Sequence, residues 1–317
     1  MNESVGILPK KSTPYYASLS GLCEELQRQI EPDDRELFAQ PYEMPDPLSE
    51  NMHTVSPGLV HRYQNRVILK VTDECAVHCR FCFRKALIAE KRGALLESDL
   101  LLAAVYIAEH PEIAEVVLTG GDPLMLKDTQ LQYVLTVLRE KRPDIVFRIN
   151  TRIPVVLPDR ITEKTVKMLA AFSPLWVSIH TNHPGELTAQ ASGCISLLAD
   201  NGIPLLSQTV LLKDINDKAD TLEQLFSQLI RLRVKPYYLF QLDSASGTSH
   251  FRVTIEQGFE IMKELRLRLA GYALPVYALD LPGGGGKVPL TPDRIVGHEE
   301  GWIVLKDDAG KEYRYPE

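Results

Sequence analysis

From Arg66 onward the chain keeps a rhythm that few folds accommodate. Seven short runs rich in β-branched and other apolar residues recur: "RVILKVT" (66–72), "EVVLTGG" (115–121), "IVFRINT" (145–151), "LWVSIHT" (175–181), "IPLLSQTVLL" (203–212), "PYYLFQLD" (236–243) and "LPVYALD" (274–280). Amphipathic stretches at 97–109, 127–141, 162–171, 188–201, 219–232 and 254–270 lie between them. Strands that alternate with helices and read as nearly continuous apolar runs specify a parallel sheet covered on its faces. Six or seven such units predict an α/β fold, a partial or full (β/α) barrel of parallel strands. In such barrels the chemistry collects at the C-terminal ends of the strands and in the loops that follow.

The flanks read differently. A helical stretch over Tyr16–Ile30 and a connector marked by Pro41, Pro45 and Pro47 predict a helical N-terminal extension and linker over residues 1–56. The barrel is expected over 57–292, and a short C-terminal β-hairpin turning near Asp307–Gly310 caps the chain over 293–317. A net charge of -7 gives no bulk attraction to phosphate backbones or anionic membrane surfaces, so nucleic acid is not an expected partner. Apolar runs such as Leu101–Ala108 fall far below the roughly 20 residues of a membrane span. The first residues lack a basic stretch followed by an apolar core. A cytoplasmic protein with no membrane contact is expected.

Polar residues gather where the barrel rule places chemistry. Cys75, Cys79 and Cys82 follow the first strand, and Gly120, Gly121 and Asp122 end the second. Arg148 and Arg152 bracket the end of the third, His180, Asn182 and His183 follow the fourth, and Gln208 lies on the fifth. Asp243 ends the sixth and Asp280 closes the seventh. Of five cysteines, Cys23 and Cys194 stand alone and read as small buried apolar side chains.

The other three cysteines crowd into "DECAVHCRFCFRK" (73–85). An odd count in a chain with no export signal favours metal or catalysis over disulfides, and such close neighbours would have to close very small loops. Zinc commonly uses Cys-x2-Cys pairs, with a second pair further on. Here the spacing is Cys-x3-Cys-x2-Cys and no second pair exists. Four-iron clusters are held by thiolates, and three thiolates leave one iron open to a small molecule. His78 and Arg80, in the same loop, read as solvent-facing or locally structural.

"ALDLPGGGGKVPLTP" (278–292) is the second unusual stretch. Four glycines could form a flexible linker or admit close approach of a ligand. The run is no P-loop, because Val288 follows Lys287 where a hydroxyl residue is needed. A lysine beside open backbone at the end of a barrel strand suggests a Schiff base with pyridoxal phosphate.

The cysteine spacing after the first barrel strand, with Phe81 before the last Cys, resembles the radical S-adenosylmethionine (SAM) superfamily. From about Pro57 to Pro292 the resemblance narrows to the lysine 2,3-aminomutase family. It rests on "PGLVHRYQNRVILKVTDECAVHCRFCFRK", "TGGDPL", "RIPVVLPDRIT", "HTNHPGE", "SQTVLLKDIND", "PYYLFQLD", "HFRV" and Pro282–Pro289, in that family's order.

This resemblance implies a 4Fe-4S cluster on Cys75, Cys79 and Cys82. S-adenosyl-L-methionine would bind the open iron, its methionine end meeting Gly120, Gly121 and Asp122. Pyridoxal 5'-phosphate is implied on Lys287, bound by Arg62, Tyr63 and Arg66, with Gln208 a polar contact in the same region. Arg84 is implied to pair with the substrate α-carboxylate, for which a guanidinium fork offers two parallel donors. Asp243 and Asp280 would receive the side-chain ammonium.

Two carboxylates at separate strand ends repel one another unless a cation joins them, and relatives that act on glutamate do not keep the pair. The resemblance therefore implies free lysine as substrate, converted to β-lysine by adenosyl-radical hydrogen abstraction and 1,2-amino migration. Arginine or ornithine is the alternative cationic substrate, and a non-catalytic iron-sulfur protein the alternative of another class. A flavodoxin or ferredoxin is the implied electron donor.

The sequence also departs from the larger lysine aminomutases. These carry C-terminal cysteines for a structural zinc completed by a neighbouring subunit, whereas this chain has no cysteine beyond Cys194, and Lys218 stands where the partner cysteine would be. No structural zinc is expected, and a homodimer or a monomer stays open. In size the chain is similar to short relatives that make β-lysine for elongation factor P, which need not keep the glycine run or the second Asp. The resemblance leaves open whether the product serves that modification or is free β-lysine.

Overall fold

The computed structural model describes residues 8–38, 40–90, 93–308 and 310–316; residues 1–7 of the expected N-terminal extension lie outside them. Ten strands share one sheet in chain order: β1 (Thr54–Ser56), β2 (Leu59–Tyr63), β3 (Arg66–Thr72), β4 (Glu115–Gly120), β5 (Val146–Thr151), β6 (Leu175–His180), β7 (Leu205–Val210), β8 (Val234–Phe240), β9 (Val276–Leu281) and β10 (Gly286–Pro289). The seven strands from β3 to β9 are the seven runs read from the sequence, and each pairs in parallel with the next. Val116, Val117 and Leu118 of β4 are buried in succession, as a strand covered on both faces requires.

Three of the crossover helices start where a threonine can cap them. Thr162, Thr188 and Thr254 accept from the amides of Thr165, Ala191 and Gln257 and open the helices Glu163–Ala170, Ala189–Asp200 and Ile255–Arg268. No helix among the described residues is long and apolar enough to cross a membrane.

The barrel is partial. Among the described residues no backbone ladder joins β1 or β2 to β10. Single contacts bring the two ends together instead: the Lys287 amide donates to Tyr63 Oη at 3.0 Å, Arg62 Nε donates to the Gly284 carbonyl at 3.1 Å, and the Gly283 amide donates to the Pro47 carbonyl at 3.1 Å.

One expectation needs correction. The N-terminal stretch is two short helices, Pro14–Ser20 and Glu24–Arg28, and not one over Tyr16–Ile30. Thr13 caps the first, with Pro14 pre-set at its first position. Gly21, a poor helix former, follows it, and Cys23 turns extended (φ −143°, ψ 116°). At the other end, the expected hairpin forms between β12 (Trp302–Lys306) and β13 (Glu312–Pro316), and β11 (Ile295–Glu299) adds a third antiparallel strand. The β11 segment "IVGHE" lacks the alternation that marks a strand. Of the two readings of the glycine run, the linker falls away: β10 folds back on β9 in an antiparallel ladder.

The N-terminal segment also supplies buried charge. Glu36 holds Arg80 through Nε (2.7 Å) and Nη2 (2.6 Å) and Lys85 Nζ at 3.0 Å, while Arg80 Nη1 donates to the Leu8 carbonyl at 2.7 Å. Arg80 is therefore structural and wholly buried, not solvent-facing. Its neighbour His78 lies 2.6 Å from the Pro9 carbonyl through Nδ1, a local structural contact. Breaking a buried pair leaves its partner's charge uncompensated. Arg80→Ala is expected to lower the unfolding free energy by roughly 3–5 kcal/mol, read from urea denaturation; a loss below about 1 kcal/mol would show that Lys85 alone neutralises Glu36.

Candidate active site

The end of β4 lies directly on the start of the cysteine loop. The amides of Gly121 and Asp122 donate to the carbonyls of Thr72 and Glu74, each at 2.7 Å. A Cβ on Gly120, whose φ is +119°, would sit 2.2 Å from the Thr72 oxygen, and one on Gly121 would sit 2.3 Å from the Glu74 oxygen. Only glycine permits this approach, so the Gly-Gly pair shapes the cysteine loop itself. The Asp122 carboxylate is occupied by protein: it accepts from Leu124 N (3.0 Å), Thr151 Oγ1 (2.8 Å) and Arg152 N (2.7 Å), tying β4 to β5. Burial pushes its pKa up to about 6 against those hydrogen bonds.

A cavity of about 570 Å³ fills the barrel lumen, and all fourteen residues singled out as site residues line it. Cys75, Cys79 and Cys82 form one wall. Burial, followed by the charge of neighbouring cysteines, pushes the Cys75 thiol well up and the Cys82 thiol up to about 11. Two thiols that resist ionisation, beside a third cysteine on the same wall, need a cation to become thiolates, which is the donor chemistry of an iron-sulfur cluster.

Lys287 lies opposite Asp280 in the β9–β10 register, with Nζ 2.9 Å from Asp280 Oδ2. Burial lowers its pKa, while Asp280 and Asp243 oppose that shift. A depressed ammonium pKa suits a lysine that must react as an amine. Its Nζ also sits over the rings of Phe240 and Tyr238, 4.0 and 4.8 Å from their centroids.

Arg62 Nη2 is buried with no hydrogen-bond partner, a donor left waiting for an acceptor. The Arg66 guanidinium lies 3.8 Å from the Tyr63 ring centroid. Two guanidinium groups, one unsatisfied, near a lysine whose pKa is lowered fit an anionic aldehyde such as pyridoxal phosphate.

Arg84 is not a bare fork. Its Nη2 pairs with Glu50 Oε1 at 2.6 Å, its Nε with Glu50 Oε2 at 3.1 Å, and its Nη1 donates to Thr119 Oγ1 at 2.8 Å. Lys70 Nζ adds a contact to Glu50 at 3.1 Å. Against its burial, Arg84 and Lys70 hold the Glu50 carboxyl down to about 2. Glu50 was missed at the sequence level, where it merely closes the connector "PYEMPDPLSE".

Asp243, enclosed at the cavity wall beside the Asp280 charge, has its pKa pushed up to about 7. His180 Nε2 is buried without a partner, and burial together with Arg152, Arg84, Arg148 and Lys287 pushes that imidazole down to about 3. The ring is therefore neutral. Gln208 pairs with His180 in the β6–β7 register, which puts both on the lumen wall. Arg148 is held on β5 by Glu115 of β4 at 2.7 Å.

Of the isolated cysteines, Cys194 is buried as expected and donates to the Ala191 carbonyl at 3.1 Å. Cys23 is half-buried, and its thiol donates to Glu25 Oε2 at 3.1 Å. Cys23, Glu25 and His183 bring donor atoms within 4.8 Å of one another. However, His183 Nδ1 already accepts from the Gly185 amide.

Residues 69–225 match the family model described as the Radical SAM superfamily, and residues 262–317 match the one described as Lysine-2,3-aminomutase. The chain is 37% identical over 314 residues to the L-lysine 2,3-aminomutase of Methanococcus maripaludis, covering 98% of this chain and 72% of that protein. It is 36% identical over 302 residues to the glutamate 2,3-aminomutase of Clostridioides difficile, covering 94% and 71%. Its fold is similar to that of a radical SAM methyltransferase from Sphaerobacter thermophilus, with a TM-score of 0.50 and 18% identity over 69% of this chain and 68% of the other. The cysteine wall, the glycine-dependent seat beneath it and the lysine strand thus occur in a chain that belongs to the lysine 2,3-aminomutase family of radical SAM enzymes.

Proposed function

We propose that the chain is an L-lysine 2,3-aminomutase working with a 4Fe-4S cluster, S-adenosylmethionine and pyridoxal phosphate in the one cavity. Membership of the family does not choose the amino acid, because a glutamate 2,3-aminomutase is similar to the same extent. The observation that carries the choice is the acidic pair: Asp243, pushed up to about 7 beside Asp280, stands in the cavity as a receptor for a cation. A side-chain ammonium satisfies that receptor, whereas a second substrate carboxylate would be repelled.

When bound, pyridoxal phosphate supplies delocalisation for a migrating amino group, and the cluster with S-adenosylmethionine supplies the hydrogen-abstracting adenosyl radical. The chain's own groups do the placing. Asp280 Oδ2 is positioned to take a proton from Lys287 Nζ, releasing an amine. Once that proton has passed on to solvent, the ionised Asp280 is available, with Asp243, for the substrate ammonium. Arg84 has five N–H donors; Glu50 takes two and Thr119 one, which leaves two on the terminal nitrogens for a carboxylate. Glu50 thus fixes the guanidinium without exhausting it. The neutral His180 adds no charge to the cavity wall.

The pH dependence follows from Asp243. A cationic substrate binds the ionised carboxylate, so below a pKa of about 7 binding must first displace a proton. KM for lysine is expected to stay level above pH 7 and to rise, approaching roughly tenfold per pH unit, as pH falls below it. Asp243→Asn should raise KM and flatten this profile; an unchanged profile in that variant would remove Asp243 from the substrate site. The function itself is tested by incubating anaerobically reconstituted enzyme with lysine, arginine, ornithine and glutamate and resolving the β-isomers. β-Lysine from lysine is the expected product, and its absence would overturn the reading.

A further inference from the structure

Arg152 is the first residue past β5, and its side chain runs back beneath the cysteine loop. Its amide is pinned by Asp122 Oδ2 at 2.7 Å. The side chain is buried, and Nη1 donates to Sγ of Cys79 at 2.7 Å. On the far side, Nη2 meets Gln29 Oε1 at 2.5 Å, Tyr16 Oη at 3.1 Å and the Glu186 carboxylate. These holding groups are themselves held. Tyr16 Oη donates to Glu186 Oε1 at 2.7 Å, and Glu186 Oε2 accepts from the Asn182 amide (2.7 Å) and Thr181 Oγ1 (2.8 Å). Tyr16, Gln29 and Glu186 are each fully buried. Among the described residues, Cys79 is the one cysteine of the loop whose sulfur receives a guanidinium hydrogen bond.

We infer that Arg152 is a positioning residue that sets the reduction potential of the cluster, held against the sulfur of Cys79 by a clamp of Tyr16, Gln29 and Glu186. This rests on reading Cys75, Cys79 and Cys82 as cluster ligands, and on no other part of the proposed function. Reduction adds one electron, from an external one-electron donor, to iron and sulfur atoms walled by protein, and no proton is transferred. Hydrogen bonds to cluster sulfurs stabilise the added negative charge and raise the potential. A charged donor in a buried site does so more strongly than a neutral one.

The geometry also assigns a task to the N-terminal segment. Tyr16 and Gln29 lie 136 and 123 residues from Arg152 in sequence, yet they fix the direction in which its guanidinium points. Glu186 balances the charge, so the guanidinium can be buried without being left unpaired.

The test uses the full chain, reconstituted anaerobically without S-adenosylmethionine or pyridoxal phosphate. A dithionite titration follows the reduced-cluster EPR signal, with iron and sulfide counted per chain. Arg152→Gln alone would leave Glu186 buried and unpaired, so the main variant is the charge-neutral double substitution Arg152→Gln/Glu186→Gln. At the wild-type midpoint its reduced-to-oxidised ratio is expected to fall about tenfold, or ~59 mV for a one-electron couple. Arg152→Lys, which keeps the charge and loses the fork, should fall less. A change below about twofold in a fully iron-loaded double variant would overturn the inference.

Should that variant not take up iron, the wild-type chain decides. With arginine carrying 15N in the guanidinium group only, the reduced cluster should show 15N modulation in spin-echo EPR, and Arg152→Lys should lose it. Absence of that modulation in the wild type would likewise overturn the inference. If the wild-type chain assembles no four-iron cluster, the cysteine reading itself fails, a result distinct from an unmoved potential.

Discussion

Lys287→Ala is expected to lower turnover roughly 10³-fold or more, because an unanchored cofactor loses the orientation that bound geometry supplies. It should also abolish the near-ultraviolet Schiff-base band of added pyridoxal phosphate. Iron content should stay at the wild-type level, since Lys287 lies on β10 and the cysteines lie in the loop after β3. The ammonium of Lys287 also neutralises Asp280 at 2.9 Å, so some loss could follow from charge alone. Lys287→Arg separates the two effects: it restores a cation beside Asp280 but forms no stable Schiff base. Both variants should lack the band, and only the alanine variant should also lose stability. A persistent band in either would exclude Lys287 as the anchoring amine.

The second large effect is steric. In Gly121→Ala the new Cβ would meet the Glu74 oxygen at 2.3 Å and the carbonyl carbons of Asp73 and Glu74 at 2.6 Å. All three are backbone atoms, so no side chain can swing aside, and the cysteine loop must move. The expected cost is about 3 kcal/mol in unfolding free energy, at the upper end of overpacking substitutions, together with a fall in iron per chain after reconstitution. Gly193→Ala is the control: it lies inside the helix Ala189–Asp200 with nothing within 4 Å of the added carbon, and should be neutral or slightly stabilising. Equal melting temperatures for the two alanine variants would refute the close-approach argument.

What was legible in the sequence followed from local chemistry. The seven parallel strands announce themselves because a strand covered on both faces must be apolar throughout, and threonine caps fix helix starts to within a residue. The residues at strand ends that line the cavity were legible because barrel topology brings strand ends together, whereas Arg62, Tyr63, Arg66 and Arg84 were legible only through the resemblance to the family. The residues that hold those side chains in place were not. Glu50 and Glu186 lie in segments with no periodic signal, Gln29 and Tyr16 in a stretch read only as helical, and each acts on a partner between 34 and 136 residues away. Nothing in "PDPLSE" distinguishes a carboxylate that grips Arg84 from one in water.

Strand β10 escaped notice for another reason. An antiparallel ladder is built from backbone groups, so Gly286 and Lys287 can pair with Leu281 and Asp280 without the side chains that mark a strand. Net charge is silent about the interior. A chain at -7 still collects Arg62, Arg66, Arg84, Arg148 and Lys287 around one cavity, because bulk charge says nothing about where the charges converge.

The seam of the open barrel has a thermodynamic consequence. Its two edges are joined by the contacts of Arg62 and Tyr63 on one side with Gly284 and Lys287 on the other, and among the described residues no ladder shares the load. Any ligand gripped by both edges at once becomes a missing rung. Its binding free energy is then added to the stability of the whole sheet, by about 2.7 kcal/mol when the free ligand stands at roughly 100 times its dissociation constant. The last strand of the sheet to leave the ribosome would thus be secured by the molecule it serves, so a cell short of that molecule would hold a less stable protein as well as an idle one.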